Sequence, residues 1–276
     1  MHESLKSEFV LATASELDLK KTFECGQCFR WSGDESGSYH GVACGKALTV
    51  REEDGRVLCS AAEADLPFWR EYFDLGIDYK EMSRPFTEPP YLKKCADFGR
   101  GIRILRQEPW EALASFIISQ CNNIPRIKKI ISTLCVTFGE ELPCGLFSFP
   151  SAEALAGLDE QDLAPLRCGY RAEYILCAAR AVAGGELNLK AITDMSSEDA
   201  FAQVRSIRGI GDKVANCFML YGLDRFPIDV WMKRALERHF PDNFDPRVLG
   251  PYAGLAQQYI FYYARTNECS DNLECS

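Results

Sequence analysis

The sequence predicts an α+β protein: an N-terminal antiparallel β-sheet domain over residues 1–87, followed by a mostly helical domain over residues 88–276. Three observations lead there. Short β-like runs separated by turn residues fill the first third of the chain. From about residue 88 the apolar residues recur at helical spacing instead of alternating. The chain has 276 residues, enough to bury two cores.

The strands come first. Lys46–Glu52 and Arg56–Ala61 flank Glu53-Asp54-Gly55, a hairpin signal because glycine tolerates positive φ. Gln27–Trp31 and Tyr39–Cys44 read as a second pair of short strands around a Gly/Ser/Asp turn. In the helical part, Trp110, Leu113, Ala114, Ile117 and Ile118 fall on one face, with Pro109 placed for a helix start. Ile127, Ile130, Ile131, Leu134 and Phe138 mark the next helix, with Asn123 as N-cap and Gly139 as its stop. Tyr170–Ala183 ends at Gly184-Gly185, Ser196 opens a further helix, and Asp212–Tyr221, Val230–Phe240 and Tyr252–Arg265 follow. No internal repeat is evident.

Composition narrows the function. With 47% hydrophobic and 26% charged residues the chain is globular. No run is long and apolar enough for a membrane span, and Met1-His2-Glu3-Ser4 lacks the layout of a signal peptide. A cytoplasmic monomer is expected, nucleoid-associated in a prokaryote, with no membrane partner. In that setting the 13 cysteines are expected to be reduced thiols. Cys25-Gly26-Gln27-Cys28 is a C-x-x-C, but a zinc site wants a second pair and a redox motif wants a βαβ context. Neither is present, so no metal and no cofactor are expected. A net charge of −9 argues by itself against a nucleic-acid partner. It is a poor guide to a local surface, however, and basic residues gather at Arg205, Arg208, Lys213, Lys233, Arg234 and Arg238. From charge alone, a solvated helix face explains that cluster better.

The most informative segment runs from Ser206 to Ala215. A helix enters, Gly209 and Gly211 make a tight turn, and a second helix begins at once. Such glycines let backbone approach a ligand closely, and N–H groups at the second helix start suit a DNA phosphate. From these two glycines alone, a plain turn between two helices is the better reading. Sixteen residues after Lys213 comes Asp229, within Phe226-Pro227-Ile228-Asp229-Val230. Together, IRGIGDKVANC and FPIDVWM resemble the helix-hairpin-helix motif of DNA glycosylases and the Pro-x-Asp loop that follows it. In the bifunctional members a lysine occupies the Lys213 position. The resemblance implies Lys213 as nucleophile on the sugar C1′ and Asp229 as its catalytic partner, doubling as a helix cap. A neutral amine can attack, which burial can favour. The carboxylate takes up protons and stabilises positive charge developing on the sugar.

Further segments narrow the resemblance to the 8-oxoguanine glycosylases, and it spans about residues 8–266. Gly26–Trp31 (GQCFRW) is similar to that family's Gly-Gln-x-Phe-Arg-Trp strand, whose glycine carbonyl accepts from the N7–H found only on the oxidised base. Phe116–Ile127 (FIISQCNNIPRI) resembles the family's Asn-rich segment, which implies DNA contacts from Cys121, Asn122 and Arg126. Cys121 stands where the family commonly has an asparagine facing the unpaired base, and a thiol lacks an amide's donors and acceptors. Leu166–Tyr174 (LRCGYRAEY) implies a duplex wedge at Tyr170 and a cytosine reader at Arg171. Ala253–Phe261 (AGLAQQYIF) implies that Gln257 reads the base edge and Phe261 stacks on the base, one turn apart on one helix face. Cys217 matches a cysteine beside the lysine, and Trp231 stands where some members have a histidine. The family's hairpin can also hold a cation through backbone carbonyls, here those of Ile207 and Ile210.

The resemblance therefore implies a helix-hairpin-helix (HhH-GPD) glycosylase/AP lyase acting on double-stranded DNA that contains 8-oxoguanine opposite cytosine. Two other readings stay open on the residues. A glycosylase for alkylated bases shares the hairpin and aspartate but not the lysine. A non-catalytic DNA-binding module would use the hairpin alone. The four-cysteine iron–sulfur signature of the related endonucleases is absent.

Overall fold

The computed structural model describes residues 7–223, 237–241, 249 and 252–267. Five strands, β1 (Ser7–Thr13), β2 (Ser32–Gly33), β3 (Tyr39–Ala43), β4 (Lys46–Glu53) and β5 (Arg56–Ala61), form one antiparallel sheet in the order β1-β5-β4-β3-β2. The β4–β5 hairpin closes where expected, with Glu53 opposite Arg56. Asp54 (φ 50°) and Gly55 (φ 71°) both take the positive φ that a tight hairpin requires. Burial alternates along β5, so Val57, Cys59 and Ala61 point into the core.

The expected strand at Gln27–Trp31 is not formed; only Ser32–Gly33 pairs with β3. Gly26 sits at φ +92°, which breaks an extended run. The fully buried Gln27 then bonds away from the sheet. Its Nε2 donates to the carbonyls of Thr22 (2.9 Å) and Arg103 (2.7 Å), and its Oε1 accepts from Leu105 N (2.9 Å). Trp31 fills the core over the sheet, stacked on Phe23 at 4.2 Å, with its Nε1 donating to Tyr72 Oη at 2.9 Å.

Short helices also precede residue 88: α1 (Leu19–Glu24), α2 (Leu66–Tyr72) and α3 (Tyr79–Met82). None is long enough to show a helical period in sequence. The rest is helical: α4 (Pro90–Gly99), α5 (Pro109–Ser119), α6 (Ile124–Phe138), α7 (Ala152–Ala156), α8 (Arg171–Ala183), α9 (Ser197–Arg205), α10 (Asp212–Tyr221) and α11 (Ala253–Asn267). The caps fall where their chemistry requires. Asn123 accepts from Arg126 N at 3.0 Å, Ser196 accepts from Asp199 N at 3.1 Å, and Gly139 and Gly184 end α6 and α8. The expected helix at Val230–Phe240 lies mostly outside the described residues.

Two clusters of buried side chains result. One lies under the sheet and includes Phe23, Trp31, Trp69 and Phe73; the other fills the helical part around Leu113, Ile117, Leu176, Phe218 and Leu255. They exchange segments: Cys25 and Phe29 belong to the helical cluster, and Leu105 to the sheet cluster. Buried Arg103 bolts the junction. Its guanidinium donates to the carbonyls of Glu16 (2.7 Å), Asp74 (2.9 Å) and Ile77 (2.7 Å) and lies over the Tyr79 ring. Among the described residues no helix is long and apolar enough to cross a membrane.

Candidate active site

The hairpin is built as the glycines predict. After α9, Gly209 turns at φ +87°, and a Cβ there would collide with the Tyr174 ring, so hairpin backbone lies directly on α8. Gln120 Nε2 donates to the Gly209 carbonyl at 3.1 Å, tying the loop after α5 to the same turn. Gly211 caps α10 with open space around it and no side-chain cap, which leaves first-turn N–H groups available to an anion. The Ile207 carbonyl accepts from Ile210 N at 3.1 Å. Two hairpin arginines are already neutralised, Arg205 by Asp212 and Arg208 by Glu173 (2.7 Å).

Lys213 follows at once. Its side chain is exposed on the first turn of α10. Val214, Ala215 and Phe218 take the inward positions instead. Half-buried Cys217, one turn on, shares the face of Lys213. Asp229 and Trp231 lie outside the described residues.

A second group of residues comes together around Gly26. A Cβ at that position would stand 3.0 Å from Arg265 Nη1, 3.9 Å from Phe261 Cε1 and 4.0 Å from Ile124 Cδ1. Gly26 therefore lies beside Phe261 of α11 and the start of α6. The Arg265 guanidinium lies 5.7 Å from the Phe261 ring centre and donates to the Glu24 carbonyl. Among the described residues the Gly26 carbonyl accepts no hydrogen bond. Gln257, one turn before Phe261, is only 5% exposed and its amide likewise has no partner among them. An aromatic chain links the neighbouring elements. Phe29 meets Phe116 of α5 edge-on at 5.8 Å, Phe116 stacks on Tyr221 of α10 at 5.3 Å, and Tyr221 Oη donates to Gln258 beside Gln257.

The third group is the pair of loops before α6 and α8. Tyr170 is half exposed. Arg171 is buried, and its guanidinium is spent on backbone: Nε donates to Gln120 O at 2.8 Å, Nη1 to Cys168 O at 3.1 Å, and Nη2 to the carbonyls of Gln120 and Cys121. Cys121 is exposed at φ 44°. Asn122 Nδ2 donates to Ile118 O at 3.2 Å, and Arg126 Nη2 to Arg167 O at 3.2 Å. Three residues inside the quoted motifs were given no role from the sequence. Gln27 anchors Gly26, Gln120 joins the loop to the hairpin, and Tyr174 receives Gly209. Each makes its contact with a residue distant in sequence.

The C-x-x-C is inert. Cys25 and Cys28 are buried, and burial pushes Cys25 up to about 11 and Cys28 well above the usual thiol range. Among the described residues no group of three or more His, Cys, Asp or Glu could hold a metal.

Comparison with known proteins gives this arrangement its class. The HhH-GPD superfamily of base excision DNA repair proteins matches residues 114–247, the part that carries the hairpin. The 8-oxoguanine DNA glycosylase N-terminal domain matches residues 9–113. The N-glycosylase/DNA lyase of Saccharomyces cerevisiae is 31% identical over 259 residues, covering 82% of this chain and 69% of its own length. That of Arabidopsis thaliana is 30% identical over 285 residues, covering 90% and 78%. The Clostridium acetobutylicum 8-oxoguanine glycosylase/lyase, solved with double-stranded DNA containing cytosine opposite 8-oxoguanine, is 36% identical. It superposes with a TM-score of 0.83 over 92% of this chain and 93% of that one. The chain belongs to the 8-oxoguanine DNA glycosylase family of N-glycosylase/DNA lyases.

Proposed function

We propose that this chain excises 8-oxoguanine paired with cytosine in duplex DNA and then nicks the strand, with Lys213 as nucleophile and Asp229 as its partner. One observation carries the choice of base. Gly26 lies beside the Phe261 ring and Gln257 stands one turn before Phe261 on α11, and neither the Gly26 carbonyl nor the Gln257 amide has a protein partner among the described residues. Two unsatisfied polar groups around an aromatic face suit a flipped base, which stacks on the ring and satisfies both. A carbonyl at Gly26 distinguishes the lesion. It accepts from N7–H of 8-oxoguanine, whereas in guanine it meets the N7 lone pair and is left unpaired.

The Lys213 amine attacks C1′ as the C1′–N9 bond breaks and its electrons leave with the base. Asp229 stabilises the positive charge that builds on the sugar and handles the amine's protons. The C1′–O4′ bond then breaks and opens the sugar, the nitrogen gives up a proton and O4′ takes one up, and the resulting imine acidifies the 2′ protons. Loss of one of them expels the 3′ phosphate by β-elimination.

Borohydride traps this imine covalently. Trapping is expected on an 8-oxoguanine·C duplex and not on a guanine·C or 3-methyladenine·T duplex. Lys213→Gln should abolish trapping and base release while lesion-DNA binding persists. Undiminished trapping by that variant would remove Lys213 from its role.

A further inference from the structure

Left-handed backbone conformation is costly for any residue with a Cβ and collects where function demands it. Among the described residues five non-glycines adopt it: Cys44, Asp54, Asp74, Cys121 and Arg167. Asp54 serves the β4–β5 hairpin, and aspartate tolerates such turns. Cys121 and Arg167 sit in the two loops that meet at the proposed DNA face. Arg171 fastens those loops through the carbonyls of Gln120, Cys121 and Cys168, and Arg126 through the carbonyl of Arg167.

Arg167 has φ 51° and ψ 36° at the end of a short 3-10 turn, Ala164–Leu166. A glycine fills that position at lower cost. Packing does not explain the arginine, since the residue is exposed. Ion pairing does not explain it either: among the described residues its side chain has no partner, and Arg126 has no carboxylate. Among the described acids, Asp212 pairs with Arg205 and Glu173 with Arg208, while Asp159 and Asp162 accept from backbone N–H groups of their own turn. In a chain of net charge −9, two guanidines without carboxylates stand three residues from exposed Tyr170 or bonded to that loop. A guanidinium presents paired donors that match a phosphate.

We infer that Arg167 is a further DNA-binding residue, holding a backbone phosphate of the strand opposite the lesion, next to the point where Tyr170 enters the duplex. The inference rests on the proposed glycosylase reading. A phosphate contact of this kind fixes the register of the duplex without reading sequence. It also places positive charge where the protein's overall charge repels DNA.

The test is binding of an 8-oxoguanine·C duplex to Lys213→Gln protein over a range of salt concentrations, with Arg167→Gly, Arg167→Gln or Arg167→Lys added. Arg167→Gly and Arg167→Gln should each make the salt dependence shallower by about one unit and weaken binding on the order of tenfold at low salt. Arg167→Lys should retain the slope. Arg167→Gly should also melt at or above the parent temperature, because it relieves the backbone while removing the charge. An unchanged salt slope in Arg167→Gly and Arg167→Gln overturns the inference. So does a fall in melting temperature of Arg167→Gly that accounts for its binding loss, which would make Arg167 a loop-holding residue only. Wild-type protein that releases no 8-oxoguanine would instead overturn the glycosylase reading, whatever the salt slopes of the Arg167 variants.

Discussion

Arg171 donates to three backbone carbonyls while almost fully buried, so in this structure it shapes the loops as well as standing next to Tyr170, the proposed duplex wedge. Its removal should therefore act twice. Arg171→Ala leaves the carbonyls of residues 120, 121 and 168 without their charged donor, which should cost about 3 kcal/mol in urea unfolding. If the guanidinium also swings out to cytosine, excision rates opposite C, A, G and T should converge, since such a contact is worth about 1–3 kcal/mol of discrimination. Loss of stability with the opposite-base ranking unchanged would leave Arg171 only its structural role. At Gly26 the constraint is conformational. Alanine at φ +92° should cost about 1–2 kcal/mol, and its methyl would press on Arg265. A guanine analogue with a bulky C8 group but no N7 proton should be excised far more slowly than 8-oxoguanine. Equal rates would mean that O8 or shape is read, and not N7–H.

At the scale of elements, the hairpin is held from two sides. Tyr174 of α8 lies under Gly209, and Gln120 after α5 hydrogen-bonds its carbonyl. Gly209→Ala combines a forbidden φ with a collision on an aromatic ring, so it should destabilise by roughly 2 kcal/mol or more. It should also weaken DNA binding by lifting the α10 N-terminus away from its seat. A variant with wild-type melting temperature and wild-type DNA affinity would contradict this account. The N-cap of α6 has a smaller, separable effect. Asn123→Ala should cost about 1 kcal/mol, read from thermal melting.

At the scale of the whole molecule, the sheet and helical clusters are joined through groups that are costly to bury. Arg103 is satisfied by three carbonyls, and Arg30 pairs with Glu111 at 3.4 Å while donating to the Phe147 carbonyl. Burial pushes Glu111 from its ordinary value near 4.5 up to about 7, opposed in part by Arg30. The unfolded chain thus releases this proton at lower pH than the native protein does. The associated stability is complete below about 4.5 and is lost as pH rises to about 7, on the order of 3 kcal/mol. Urea midpoints across this window should fall with rising pH, and Glu111→Gln should flatten that fall. An identical slope in the variant would mean that other groups produce it.

Local chemistry was legible from the sequence alone. The β4–β5 hairpin, the caps at Asn123 and Ser196, the glycine stops at 139 and 184, and the span of α10 all depend on a few neighbouring residues, whose turn and capping preferences act over one helical turn or less. The order of the motifs, from Gly26-Gln27 through the hairpin to Gln257 and Phe261, pointed to the family to which the chain belongs. The tertiary structure decided what depends on partners far along the chain. The segment Gln27–Trp31 reads as a short strand, yet Gln27 finds its partners at residues 103 and 105 and draws the segment out of the sheet. The register of α10 turns Val214 and Ala215 inward and leaves Lys213 exposed. Arg171 turned inward because the carbonyls of residues 120 and 121 lie within its reach, about fifty residues away in sequence. A single buried hydrogen bond across such a separation outweighs a local propensity of a few tenths of a kcal/mol. Periodicity cannot reveal that bond, because it reports only which face of an element is apolar.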